Sequence, residues 1–355
     1  MTAATASVSL SPASDALACP LCHGALEPLA DGLGCARCAR EYSSHRGILD
    51  LRVFPDAYLG VERDNERADL IVAALERGRL ADLLDYYWSL SDSTPPVLRE
   101  RFARGALRAP AKARRLLDLL ERAGLASRQS RVLELGSGTG GFLVEASGRV
   151  GEVVGLDIAM RWLHVSRRRF LDRGSAVPPL VCACAEQLPF PDASFDLVVC
   201  AATFELIRDP DRALAECARV LKQPGALFLN AVNRCSLVPE PHVGLWGVGF
   251  LPRAWQAPYV RWRGRGDFAH VRPLSYWDLD RRAARHFRRR RFEPADVADE
   301  VVAELSRVAR HGVRVYRALK RFGVGRWLFR RLGPEWDVVL TRDEPPARES
   351  APGRR

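Results

Sequence analysis

The sequence predicts an α/β protein: a parallel sheet covered by helices on both faces, preceded by a small cysteine-rich module and a helical linker. Three observations predict it. From Arg131 onward, short apolar runs alternate with helical segments. A glycine-rich turn, Gly136-Ser137-Gly138-Thr139-Gly140, follows the first of those runs, and an acid, Asp157, closes the second. Ahead of them stand two Cys-x-x-Cys pairs, Cys19/Cys22 and Cys35/Cys38.

At 355 residues the chain exceeds what one ordinary core needs, so one large domain with a small accessory unit is expected. Hydrophobic residues at 47% and charged residues at 27% are a globular composition and exclude a largely disordered chain. No apolar stretch reaches the roughly 18 residues of a membrane span. The start, Met1 to Asp15, lacks a basic segment followed by an apolar one, so no secretory signal is read there and a cytoplasmic protein is expected. Nine cysteines cannot all pair, and Cys182, Cys184, Cys200, Cys217 and Cys235 sit in apolar segments, as buried thiols of a reducing compartment do. The formal net charge is +11, nearly all from arginine, with lysine only at Lys112, Lys222 and Lys320. The basic excess concentrates between Arg253 and Arg331 and includes the run Arg288-Arg289-Arg290-Arg291. Such a surface suits nucleic acid, an anionic membrane or acidic substrates, and equally a solvated face.

Taken in order, residues 1–15 read as a flexible tail and 16–53 as the cysteine module, ending in Gly47-Ile48-Leu49-Asp50-Leu51-Arg52. Residues 54–128 form a helical linker or cap: Leu70, Ile71, Ala74, Leu75 and Leu80, then Leu83 and Leu84, recur at helical spacing. Pro95-Pro96 breaks the run, and Leu116, Leu117, Leu119 and Leu120 mark a further helix before Gly124. The main domain spans 129–342. Val132–Leu135, Val153–Leu156, Leu180–Cys182, Leu197–Cys200, Ala226–Ala231 and Trp336–Leu340 are its strand candidates. Phe142–Ser147, Met160–Leu171, Asp211–Leu221 and Ser275–Phe287 are its helix candidates, the last with Ser275 as cap and Trp277 and Leu279 on one face. Residues 234–272 are an aromatic-rich irregular insert, 301–334 a helical one, and 343–355 a Pro-, Glu- and Arg-rich tail.

Glycines let a backbone turn tightly and approach a ligand, and the helix that follows adds unpaired N–H groups. An acid at the end of the second strand can accept both hydroxyls of a ribose. The spacing Gly-x-Gly-x-Gly is not that of a dinucleotide cradle. The stretch Val132-Leu133-Glu134-Leu135-Gly136-Ser137-Gly138-Thr139-Gly140 resembles the first motif of class I methyltransferases. Gly155-Leu156-Asp157-Ile158, then Ala185-Glu186-Gln187-Leu188-Pro189-Phe190 with Ser194-Phe195-Asp196-Leu197-Val198, and Leu221-Lys222-Gln223-Pro224-Gly225-Ala226 resemble later motifs in the family's order. The resemblance covers roughly residues 130–233 and implies a Rossmann-like, seven-stranded sheet with S-adenosylmethionine across its carboxyl edge. It implies that Gly136, Ser137, Gly138 and Gly140 line the cofactor, that Glu134 lies near its amino group and that Asp157 holds its ribose. Ile158 or Met160 would pack on adenine, Ala185 and Glu186 would serve the adenine amino end, and Leu188 would lie close by. Two departures stand out: Cys184 occupies the place of an acid that relatives direct at adenine, and Glu205-Leu206 stands where relatives often read Glu-His.

Cys19, Cys22, Cys35 and Cys38 can converge four thiolates on one tetrahedral Zn²⁺, leaving no open coordination position, so the metal is expected to be structural. His23 and His45 could compete as ligands. The surrounding residues resemble zinc ribbons of the Trm112 type, sometimes fused to methyltransferases.

Methyl transfer needs a base only if the acceptor keeps its proton. Glu205, Glu240, His242, His270 and Tyr276 are candidates, with Glu205 and His242 preferred. Trp246, Phe250, Trp255, Tyr259 and Trp262 either wall an apolar pocket or form the core of the insert. A mostly apolar pocket favours an aromatic or lipid-like small-molecule acceptor. The basic amphipathic segment from Arg314 to Arg331 suits a lid, peripheral contact with a membrane surface or an ordinary packed helix. The competing reading is an RNA or protein methyltransferase that docks its substrate with the zinc module and the basic last third. Nucleic acid is the less favoured partner, and the oligomeric state is not legible.

Overall fold

A computed structural model describes residues 17–75, 78–90, 94–297, 299–304 and 306–342. The two expected tails lie outside them. The cysteine module folds as β1 (Glu27–Leu29), β2 (Gly32–Cys35), β3 (Arg40–His45) and β4 (Ile48–Asp50), followed by helices α1 (Val61–Leu75), α2 (Leu80–Ser89) and α3 (Pro96–Arg122). The main domain then runs β5 (Arg131–Leu135), α4 (Gly141–Ala146), β6 (Glu152–Asp157), α5 (Met160–Asp172), β7 (Leu180–Cys182), β8 (Phe195–Ala201), α6 (Pro210–Val220) and β9 (Leu221–Val232). It closes with α7 (Arg253–Trp262), α8 (Tyr276–Ala283), β10 (Arg289–Pro294), α9 (Asp299–Glu304), α10 (Arg307–Leu319), α11 (Gly323–Leu332) and β11 (Glu335–Thr341).

The main-domain strands lie in the order β7-β6-β5-β8-β9-β11-β10. All neighbours from β7 to β9 pair parallel, and β11 runs antiparallel between β9 and β10. The order reverses at β5, which opens a crevice at the carboxyl ends of β5, β6 and β8. Val132, Leu133 and Leu135 of β5 and Leu197, Val198 and Val199 of β8 are buried, because helices cover both sheet faces.

The cysteine module does not stand apart. Arg46-Gly47, both at positive φ, make the tight turn between β3 and β4, a two-residue hairpin loop. β4 then pairs parallel with β7, Leu49 opposite Val181 and Asp50 opposite Cys182, so the module covers an edge of the sheet. Leu33, Tyr42 and Leu51 share one buried cluster with Leu188, Phe190 and Leu156. The expected linker likewise packs as a layer: Leu117 and Leu120 of α3 pack with Phe142 and Leu143 of α4, and Ala68 of α1 with Leu163 of α5.

Other local expectations meet the structure unevenly. Ser275 caps α8 by accepting from the Asp278 amide, but the helix ends at Ala283. Trp277 is 53% exposed while Leu279 is fully buried; two residues apart on a helix they point to different sides. The arginine run becomes the outer strand β10, whose Phe292 and Pro294 turn inward while Arg290 pairs with Asp280. The aromatic insert contains the helix α7, and its core is Val243, Leu245, Val248, Val260, Phe268 and Val271, with Tyr259 packed against it. Trp246, Phe250, Trp255 and Trp262 are half or more exposed, so they are neither that core nor the walls of a closed pocket.

Candidate active site

The first strand delivers Glu134 and the glycine turn to the carboxyl edge. Gly136, Gly138 and Gly140 all have positive φ. A Cβ on Gly136 would lie 2.3 Å from Thr203, and one on Gly140 would lie 2.2 Å from Ser166 Oγ, so both are fixed by close packing. Gly138 is different: a Cβ there would meet only the Gly136 carbonyl at 3.9 Å. Open space lies against the middle of the turn.

Asp157 ends β6 and points back at this turn. Its Oδ2 accepts from the Gly138 amide at 2.8 Å and its Oδ1 from the Ala159 amide at 2.9 Å. Each oxygen keeps a second lone pair, as a diol donor would require. Burial pushes the carboxyl up to about 6 against the opposing pull of those two amides. Glu134 is buried beside it, raised well above the usual range by desolvation and by the Asp157 charge. Glu134 Oε2 and Ser137 Oγ are buried without a hydrogen-bond partner. Buried polar atoms are normally satisfied, so an acceptor and a hydroxyl left open beside an uncrowded glycine fit a polar ligand such as the aminoacyl end of S-adenosylmethionine.

At the expected adenine end the structure sorts the candidates. Ile158 and Ala185 are partly exposed and available. Met160 is not: it is fully buried with Ile48, Ala68, Leu163 and Cys182, because the module and α1 cover that side of α5. Leu188 is also fully buried, packed in the cluster that the module shares with the sheet, and its amide donates to Glu216 Oε2 at 2.8 Å. Glu186 Oε1 accepts from the Arg208 and Asp209 amides at 2.9 and 3.1 Å, which ties its loop to the start of α6. Cys184 directs its thiol at the Phe54 carbonyl, 3.5 Å away, so the segment after the module closes over the place where an acid was expected.

A buried ion-pair network behind Asp157 was not foreseen. Asp64 of α1 is fully buried and pairs with Arg52 at 2.7 Å and Arg161 at 2.5 Å. It also accepts from the Met160 amide at 2.8 Å, while Arg52 donates to the Ile158 carbonyl at 3.2 Å. Asp50, Asp56, Asn65 and the Tyr87 hydroxyl complete the set. The network therefore grips the backbone that follows Asp157. In sequence these residues look like ordinary helix-surface charges, and only their joint burial distinguishes them.

Three of the base candidates, Glu205, Glu240 and His242, come together. Glu205 follows β8, and His242 lies in the insert after β9; His242 Nε2 stands 3.5 Å from Glu205 Oε1. His242 Nδ1 is hydrogen-bonded to Glu240 Oε1 at 2.6 Å, and Glu240 is itself held by the His242 and Val243 amides. Burial disfavours the imidazolium, but the Glu240 hydrogen bond and the charges of Glu240, Glu205 and Glu335 outweigh it, and the His242 pKa is raised. Burial raises Glu205, and neither of its oxygens has a hydrogen-bond partner. His270 instead stacks edge-on against Tyr58, and Tyr276 packs against Phe292 and Trp336.

The four module cysteines converge, with their sulfurs within 4.8 Å of one another. Cys19 and Cys38 lie 3.6 Å apart and Cys22 and Cys35 3.5 Å. Tetrahedral Zn–S bonds of about 2.3 Å place sulfurs roughly 3.8 Å apart, so the donor set fits zinc. Neither histidine competes. His45 Nδ1 bonds to His164 Nε2 at 2.9 Å, and His23 stands outside the cluster.

Strand order, glycine turn and the acid after β6 are arranged as the resemblance to class I methyltransferases implies. Residues 133–229 match the family described as "Methyltransferase domain". The ubiquinone/menaquinone biosynthesis C-methyltransferase UbiE of Burkholderia mallei (strain SAVP1) is 41% identical over 102 residues, which are 28% of this chain and 42% of that protein. UbiE of Paraburkholderia phymatum is 40% identical over the same length and shares. The chain thus spans less than half of these curated relatives. Among solved structures, the YcgJ protein of Bacillus subtilis is 21% identical with a TM-score of 0.41, covering 64% of this chain and 98% of that one. Phosphoethanolamine N-methyltransferase 2 of Haemonchus contortus, in complex with S-adenosyl-L-methionine, is 20% identical with a TM-score of 0.41, covering 64% and 52%.

Proposed function

We propose that this protein transfers a methyl group from S-adenosylmethionine to a hydrophobic small-molecule acceptor. The observation that carries the reading is the pair of open buried polar groups, Glu134 Oε2 and Ser137 Oγ, beside the uncrowded Gly138 and across from Asp157. Asp157 accepts the ribose hydroxyls, Glu134 and Ser137 meet the amino-acid end, and Ile158 and Ala185 flank adenine. When bound, the cofactor supplies an electrophilic methyl on a sulfonium, and two buried carboxyls, Glu134 and Asp157, suit a cationic ligand.

His242 takes the acceptor's proton at Nε2. Glu240 holds the ring by its Nδ1 and fixes the tautomer, and the neighbouring Glu205 stabilises the imidazolium that forms. A histidine from the insert after β9 thus lies beside Glu205, the residue after which the sequence lacks one. The 41% identity to UbiE favours a small-molecule acceptor.

The test is transfer of a labelled methyl group from S-adenosylmethionine into a cell extract, with products divided into organic, RNA and protein fractions. Label in the organic fraction is expected, and label confined to RNA or protein refutes the acceptor class. Asn or Gln at His242 should lower kcat strongly while leaving cofactor affinity within about twofold, since His242 touches none of the cofactor residues.

A further inference from the structure

The insert between β10 and β11 has a face that the catalytic reading leaves unused. Residues 306–334 contain nine arginines and lysines and no aspartate or glutamate. Neither α10 nor α11 has a buried residue. The inner side of α10 is tied down: the Tyr316 hydroxyl donates to the Ala295 carbonyl at 2.7 Å, and Arg317 donates to the Val297 carbonyl at 2.6 Å. That anchoring fixes which side faces outward. Val308, Val315 and Leu319 recur at helical spacing on the outer side, and Val308 is 83% exposed. Phe322, Val324 and Trp327 extend the apolar strip onto α11 at 66%, 80% and 56% exposure. Arginines line it: Arg331 lies over the Trp327 ring at 4.1 Å, and no carboxylate among the described residues pairs with Arg314, Arg321 or Arg326.

The strip continues into the other insert. The Leu237 amide donates to the Leu332 carbonyl at 3.1 Å, and the exposed Trp246 donates to the Leu237 carbonyl at 3.1 Å. His242 belongs to this same loop. Both inserts leave the sheet at its carboxyl edge, one after β9 and the other after the parallel strand β10.

We propose that α10 and α11 dock this protein on an anionic lipid surface. Exposed Trp, Phe and Val enter the interface, and the unpaired arginines meet headgroup phosphates. An apolar strip alone would fit many partners. An apolar strip ringed by cations and devoid of acids is complementary to anionic headgroups over acyl chains. No helix among the described residues is long and apolar enough to cross a membrane, so contact is along the surface. The proposal agrees with a lipid-like acceptor but does not rest on methyl transfer, because it is read without cofactor or acceptor.

The test is sedimentation of the full chain with phosphatidylcholine vesicles, with and without phosphatidylglycerol, at low and high salt. Binding to the phosphatidylglycerol vesicles that weakens with salt is expected. Phe322→Ala with Trp327→Ala should weaken it by about tenfold or more, and Arg314→Glu with Arg326→Glu should abolish the preference for phosphatidylglycerol. All four side chains are exposed, so the melting temperature should hold. Absence of wild-type binding to the anionic vesicles overturns the proposal. So does unchanged binding in both variants, a salt-sensitive poly(U) complex that vesicles do not displace, or a dimer that the same substitutions dissociate.

Discussion

Gly138 and Gly140 belong to one turn, yet the structure gives them separable jobs. Gly140→Ala places a methyl against Ser166 at a positive φ and should destabilise the fold by about 1–3 kcal/mol, read as a lower melting temperature. Gly138→Ala also sits at a positive φ but meets open space, so it should destabilise less than Gly140→Ala and in addition lower S-adenosylmethionine affinity, measured by calorimetry; equal affinity in that variant would remove the cofactor from the turn. Titration separates the acids from the histidine. Asp157 must be ionised to accept two hydroxyls, and its carboxyl stands at about 6 in the free protein, so cofactor affinity should fall as pH drops through that value. His242 acts as a base only when neutral, and its pKa is raised above the ordinary 6.5. The acidic limb of the rate at saturating cofactor should therefore lie above 6.5, and His242→Gln should abolish that limb. A rate independent of pH there would exclude His242 as the base.

Among the elements, β5 to β9 were legible because each is a short apolar run bounded by a helix signal, and the glycine turn fixes their order. β10 was not, since Arg289, Arg291 and Glu293 occupy its outward positions, Arg290 shares the inward face, and only Phe292 and Pro294 mark that face as apolar. The joint between β4 and β7 was not legible either: pairing between residues so far apart leaves no local pattern. The same holds for the Arg52–Asp64–Arg161 cluster, whose charges look solvated one at a time. Removing one partner of a buried pair leaves an uncompensated charge, so Asp64→Ala should cost about 3–5 kcal/mol by denaturant unfolding. A loss below about 1 kcal/mol would mean that water reaches the cluster. The burial of Met160 and Leu188 was not legible for a related reason. A motif places their backbones near the site, but the helices and module that bury their side chains arrive from elsewhere in the chain.

For the whole molecule, the cysteine module is part of the main core and not an appendage, because its strand extends the sheet and Tyr42 and Leu51 share the buried cluster of β6. Chelation of the metal, or Cys35→Ser, should then lower the melting temperature of the entire chain in one transition along with loss of bound zinc. Two independent transitions would show a separable module. The charge is likewise uneven, with buried carboxyls Glu134 and Asp157 inside a chain of net charge +11 and the acid-free stretch 306–334 elsewhere in it. On the proposed reading, a cationic cofactor and an anionic surface would be drawn to different parts of one molecule. The most direct measurement of the central claim is calorimetric titration of S-adenosylmethionine into wild type and Asp157→Ala at neutral pH. Binding one cofactor per chain, weakened by about tenfold or more in the variant, is the predicted result. Equal affinity in the two proteins, or none in the wild type, would contradict it.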